Sequence, residues 1–294
     1  LKVIISAVKS KLSVFLEQSS YKQTCTLLFV FVVVSLTKSD FSYHLISFPL
    51  LGVGIASLLV EFDLSKNRVF WVSTMFLLLL NVIEEWTLPA NHDYLLIYFI
   101  VVILLSYSKN PAASDSRIKT HTLILFVLTF FLAGLQKLFS PQLMDGSYLS
   151  YAYHSGHFTP FLLNKITFFN ESFHNNQEIL NELMRSDPNL GRVSSLGYHI
   201  TGSEAFFKYL SWGVVVLEFL VGTLAVFLMR SKAFLWLVLL FCTLIFLARP
   251  EGFVCVIFLL AWPHLPKEKK LLHYAYLTVM VLIMAMIILN KAFR

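Results

Sequence analysis

Residues 120–139 read Thr120-His-Thr-Leu-Ile-Leu-Phe-Val-Leu-Thr-Phe-Phe-Leu-Ala-Gly-Leu-Gln-Lys-Leu-Phe139, with one Lys or Arg, Lys137, close to the end, and no Asp or Glu. A helix rises about 1.5 Å per residue, so some twenty apolar residues match the roughly 30 Å hydrocarbon layer of a bilayer. The same pattern recurs outward from this stretch. Further apolar runs fall at 24–37, 43–60, 69–86, 93–108, 206–229, 233–248, 251–264 and 272–290. Of the 294 residues, 57% are apolar and 14% charged. A soluble domain carries roughly 25% charged residues. The mean hydropathy is +0.72, and 28 of the residues are Phe. So much apolar surface has no place inside one aqueous core, whereas lipid accepts it.

The expected fold is therefore an all-α, polytopic transmembrane helix bundle of about eight or nine spans. Residues 1–23 interleave Lys2, Lys9, Lys11 and Lys22 with Val3, Ile4, Ile5, Val8, Leu12 and Phe15, the pattern of an amphipathic basic helix lying on an anionic membrane surface. Residues 24–139 hold transmembrane helices 1–5, and 206–294 hold helices 6–9. Between them, 140–205 is polar enough to form a non-cytoplasmic cap, with a helix expected over 176–186 from the spacing of Ile179, Leu180, Leu183 and Met184. The runs 233–248 and 251–264 read as two spans, or as a broken pair split at Arg249-Pro-Glu-Gly252.

The net charge of +6 gathers in alternate loops: Lys66 and Arg68; Lys109, Arg117 and Lys119; Arg230 and Lys232; Lys267, Lys269 and Lys270. That alternation places those loops and the N-terminus in the cytoplasm and the 140–205 loop in the periplasm or lumen. Nucleic acid is not an expected partner, since no aromatic-basic module accompanies the charge. Cys25, Cys242 and Cys255 sit in apolar runs, as buried thiols do.

Ionisable residues at bilayer depth are the informative ones, because burying them unpaired is costly. Lys137 follows Ala133-Gly134, a surface small enough for another helix to approach. Desolvated there, it would gain the character of a base; the plainer reading is a lysine reaching for the interface. Glu218 stands in the middle of the 206–229 run and must be neutral, paired or facing a wet cavity. His92, in Asn91-His-Asp93 after Glu84-Glu85, reads as a base, a ligand or part of a helix cap. His154, His157 and His174 lack a Cys or carboxylate at ligand spacing, so no metal site is expected. Phosphate-loop, serine-hydrolase and zinc-protease motifs are absent.

Three stretches carry a family resemblance. Ala133-Gly-Leu-Gln-Lys-Leu-Phe-Ser-Pro-Gln-Leu-Met-Asp-Gly146, Asn91-His-Asp-Tyr-Leu95, and Leu217-Glu-Phe-Leu220 with Pro250-Glu-Gly-Phe253 resemble, in order and rough spacing, the HTTM family, the membrane domain of vitamin K-dependent gamma-carboxylase-like proteins. The resemblance covers about residues 20–265. It implies that Lys137 is the position of a general base acting on a quinone or other membrane lipid. Glu218 and His92 would then line the pocket, with Gly134 and Gln136 beside the cofactor. Ser108-Lys-Asn-Pro111 stands where that family has an Asn-His pair, and Phe241–Phe246 where it has a polar helix. These departures imply a scaffold without the chemistry: a non-catalytic subunit or scaffold of a membrane complex. Its expected partners are membrane lipids and other membrane subunits, met through the 140–205 cap.

Overall fold

The computed structural model describes residues 2–36, 63–84, 91–154, 175–176, 178–180, 182–183, 203–248 and 252–292. Every secondary-structure element among the described residues is helical: α1 (Lys2–Glu17), α2 (Ser20–Leu36), α3 (Arg68–Glu84), α4 (Asn91–Ser106), α5 (Pro111–Leu138), the single turn α6 (Pro141–Met144), α7 (Ser147–His154), α8 (Ser203–Leu228), α9 (Lys232–Ala248), α10 (Phe253–Ala261) and α11 (Lys270–Ala292). Short 3-10 turns at Leu64–Lys66 and Trp262–His264 lead into α3 and out of α10. The apolar run 43–60 lies outside the described residues, as do His157 and His174. The described residues of 175–183 are helical, in keeping with the helix expected there.

Among the described residues, two helices are long and apolar enough to cross a membrane: α5, with 28 residues, and the Ala205–Leu228 part of α8, with 24. Only 28% and 33% of their most apolar stretches are buried within the molecule. A soluble protein's core helix would hide most of its surface. Here Leu128, Leu132, Val216 and Phe227 turn outward.

The chain divides into two units. The first comprises Leu1–Val127, Leu224–Leu239 and Gly252–Arg294. Its centre is α10, whose residues Val254–Ala261 are all buried and which packs on α2, α4 and α11. At about 1.5 Å per residue this nine-residue helix spans less than half a bilayer, so complete burial and shortness mark it as a core segment. Tyr276 of α11 closes over it, 5.3 Å from the Phe258 ring, and donates its hydroxyl to Leu235 O at 2.8 Å.

The amphipathic N-terminal helix ends at Glu17, earlier than the sequence suggested, and residues 20–23 open α2. The joint is Gln23, which is 3% exposed. Its amide nitrogen, with two N–H groups to give, lies 3.0–3.2 Å from Phe15 O, Leu16 O and Gln18 O, carbonyls at the end of α1, of which Phe15 O also accepts from Gln18 N. Its carbonyl accepts from the Trp262 indole at 2.9 Å. One side chain therefore holds α1, α2 and the turn after α10.

Beside that turn, Thr122 donates its hydroxyl to Ile118 O at 2.6 Å. With that proton engaged, Thr122 accepts from His264 Nε2 at 3.2 Å, which leaves His264 Nδ1 as a buried acceptor without a partner.

The second unit comprises Leu128–Thr223 and Leu240–Glu251. It holds the C-terminal part of α5, most of α8, the described beginning of the 140–205 segment and the second half of α9.

Candidate functional site

Lys137 lies in the last turn of α5 and Glu218 near the middle of α8. Their side chains meet: Lys137 Nζ donates to Glu218 Oε1 at 2.7 Å, across 81 residues of sequence. The lysine side chain is 27% exposed and the carboxylate 10%. Two residues that stood out separately as charges in apolar runs are thus each other's counter-ion, the arrangement that makes such charges tolerable in a dry setting. The second carboxylate oxygen, Oε2, is buried with no hydrogen-bond partner. So is the Ser211 hydroxyl, two helical turns earlier on α8.

What holds the two helices in register is aromatic. The Phe219 ring lies on Gly134, and a Cβ built there would sit 2.9 Å from Phe219 Cε2. Reciprocally, the Phe131 ring lies on Gly222, where a Cβ would come within 3.0 Å. The two rings meet edge to face at 5.5 Å, a geometry favoured by the aromatic quadrupole. Gly134 therefore makes room for a phenyl ring. It precedes Lys137 by three residues and Gly222 follows Glu218 by four, so ion pair and aromatic notch lie one turn apart on both helices.

After α5 the chain turns through α6 and α7, and Gly146 makes this possible. Its φ of +85° is in the left-handed region, and its Cα faces the Phe207–Lys208 backbone of α8 with no room for a side chain. Asp145 accepts from Ser147 N at 2.8 Å, a bond that holds its carboxyl below the usual range. Tyr153 of α7 packs on Phe207 at 5.4 Å. The start of the expected cap is in this way fastened to the start of α8.

Of the other candidates, Gln136 is exposed, next to Lys137. His92 is in the first turn of α4, and its side chain lies outside the described residues. The side chain of His154 likewise lies outside them. Among the described residues, no group of three His, Cys, Asp or Glu side chains is placed to hold a metal ion. Sequence reasoning did not find Phe219, Phe131 or Gln23. In one dimension the first two are indistinguishable from lipid-facing phenylalanines, and Gln23 from an ordinary polar residue at a helix start.

Comparison with protein-family models, with curated proteins and with solved structures finds no match.

Proposed function

We propose that this chain is a polytopic membrane protein on an HTTM-like scaffold, acting as a non-catalytic subunit of a membrane complex. Its helices fall on the apolar runs, and α3, α5, α8, α9 and α11 turn large apolar side chains outward. In this reading the N-terminus is cytoplasmic and the 140–205 loop periplasmic or lumenal, where it meets partner subunits.

The observation that carries the non-catalytic reading is the closed ion pair. Lys137 serves Glu218 as a hydrogen-bond donor at 2.7 Å, whereas a base must offer its lone pair. A lysine engaged in this way ties α5 to α8. The test is gentle extraction from native membranes, crosslinking and mass spectrometry. Partners crosslinked through residues of 140–205 are expected; a monomer with no crosslinked neighbour would end the proposal.

A second reading is favoured by Glu218 Oε2, buried and without a partner. The hydroxyl of a reduced quinone-type lipid is a donor that would meet it, and Lys137 takes the phenolic proton once the pair has opened and its ammonium has released its own proton to solvent. Reconstitution with a reduced naphthoquinone separates the two. Oxygen uptake that requires Lys137 supports the enzyme; uptake no faster than in protein-free liposomes supports the subunit.

A further inference from the structure

In the first unit the start of α3, the end of α4 and the start of α5 come together around Tyr107. Arg68 stacks over its ring, 4.2 Å from the centroid. Arg117 Nη1 donates to its carbonyl oxygen at 3.4 Å. Two guanidinium groups thus flank one tyrosine, and both arginines are exposed. Among the described residues neither forms a salt bridge. Of the carboxylates near them in sequence, Asp63 holds Lys22 at 3.7 Å and Lys66 at 3.6 Å, which leaves Asp115, bonded to Tyr21 N at 2.9 Å, as one negative charge against Arg68 and Arg117. Lys109 adds a further exposed cation beside them in sequence. Positive charge here exceeds the charge available to balance it, and it is carried by the side chain whose planar fork best fits phosphate oxygens.

What lies next to these cations narrows the ligand. α3 and α4 pack on one another, and because Arg68 at the start of one touches Tyr107 past the end of the other, they run antiparallel. From this end each carries an exposed apolar stripe at helical spacing. On α3 the stripe is Val69, Val72 and Phe76, 76%, 48% and 60% exposed. On α4 it is Leu105, Val101 and Tyr98, 60%, 37% and 58% exposed. An anion seat that opens onto two apolar tracks matches a molecule with a phosphate at one end and two acyl chains.

We infer that Arg68, Tyr107 and Arg117 seat the phosphate of an anionic phospholipid, whose acyl chains lie along the exposed stripes of α3 and α4. The inference rests on the membrane reading above and extends it to a defined lipid site, independent of Lys137 and Glu218.

The test uses the full chain in nanodiscs of phosphatidylcholine containing a minor fraction of phosphatidylglycerol, with co-released lipids counted by native mass spectrometry. Wild type is expected to retain phosphatidylglycerol in excess of its share. A basic residue near an anionic lipid surface contributes about 1 kcal/mol, or roughly fivefold, so Arg68→Gln/Arg117→Gln should cut the preference about 25-fold. Arg68→Lys, which keeps charge but loses the fork, should fall between. If the double variant does not fold, Arg117→Gln alone should still cost about fivefold. Equal retention of both lipids by wild type, or a preference unchanged in the variants, overturns the inference. Displacement of the lipid by millimolar inorganic phosphate would replace it with a free-phosphate site. Release of the chain from native membranes by alkaline carbonate would remove the membrane reading itself; retention without lipid preference removes only this site.

Discussion

The Phe219 ring occupies the space that any side chain at position 134 would need, with its Cε2 atom 2.9 Å from where a Cβ would stand. Glycine at 134 is thus a packing requirement of the α5–α8 notch. Gly134→Ala should destabilise the protein by about 1–3 kcal/mol, the usual cost of overpacking a well-filled contact. Phe219→Leu in the same chain should recover part of the loss by clearing the space. Thermal unfolding in detergent of the two single variants and the double checks this; a Gly134→Ala chain as stable as wild type would show that the ring moves aside freely.

The ion pair above the notch makes an asymmetric prediction. Removing one partner of a buried pair typically costs about 3–5 kcal/mol, because the other is left charged and dry. Glu218 is the more buried of the two, 10% exposed against 27% for Lys137. Lys137→Met strands the deeper charge and should be the more damaging. Glu218→Leu leaves an ammonium on a flexible stem that can reach water and should cost less. Lys137→Met/Glu218→Leu should return close to wild-type stability. A double-mutant cycle measures the coupling, and additive losses would mean that the pair contributes no clamp.

How much of this could be read beforehand differs residue by residue. The helical class was legible, because long apolar runs with few charges admit little else. Lys137 and Glu218 were legible as exceptions to that rule. Their meeting was not, since it depends on which faces of α5 and α8 oppose each other. That register is set by Phe131 on Gly222 and Phe219 on Gly134, contacts between residues common all along both helices. Gly134 was noticed for a different reason: the small surface was expected to admit a neighbouring backbone, and it admits a phenyl ring. Arg68 and Arg117 were visible only as topology markers, because their shared tyrosine is far from Arg68 in sequence. Gln23 carried no signal, although its hydrogen bonds join three segments.

The Gln23 joint should be separable from the rest of the fold. In Gln23→Leu the Trp262 indole loses its acceptor, and the carbonyls of Leu16 and Gln18 at the end of α1 lose a donor. Leaving a buried polar group unmet costs about 1–3 kcal/mol. The expected outcome is release of α1 with the α10 core intact. Limited proteolysis should then cut between α1 and α2 much faster than in wild type, and the Trp262 emission should shift. Unchanged proteolysis would show that the packing of Phe15 on Trp262, 6.2 Å between ring centres, suffices to hold the helix.

The turn into α3 gives a pH test. Partial burial pushes the Asp63 carboxyl up, but bonds from the Ser65 hydroxyl and amide, together with Lys22 and Lys66, outweigh it and hold the group below the usual carboxylate value. A carboxyl depressed in the folded state stabilises it above the unfolded value near 4, and that contribution is lost as pH falls through the lower folded value. The Leu64–Lys66 turn should therefore keep its full protection at neutral pH and loosen only under acid conditions below that range. Amide hydrogen exchange at Ser65, Lys66 and Asn67, corrected for the intrinsic pH dependence of exchange, follows this directly. Asp63→Asn should show the loosened rates already at neutral pH and little further change on acidification. If wild type and Asp63→Asn exchange alike at neutral pH, the carboxylate is not what fastens the turn, and the Asn67 side chain that accepts from Phe70 N at 3.0 Å is the better candidate.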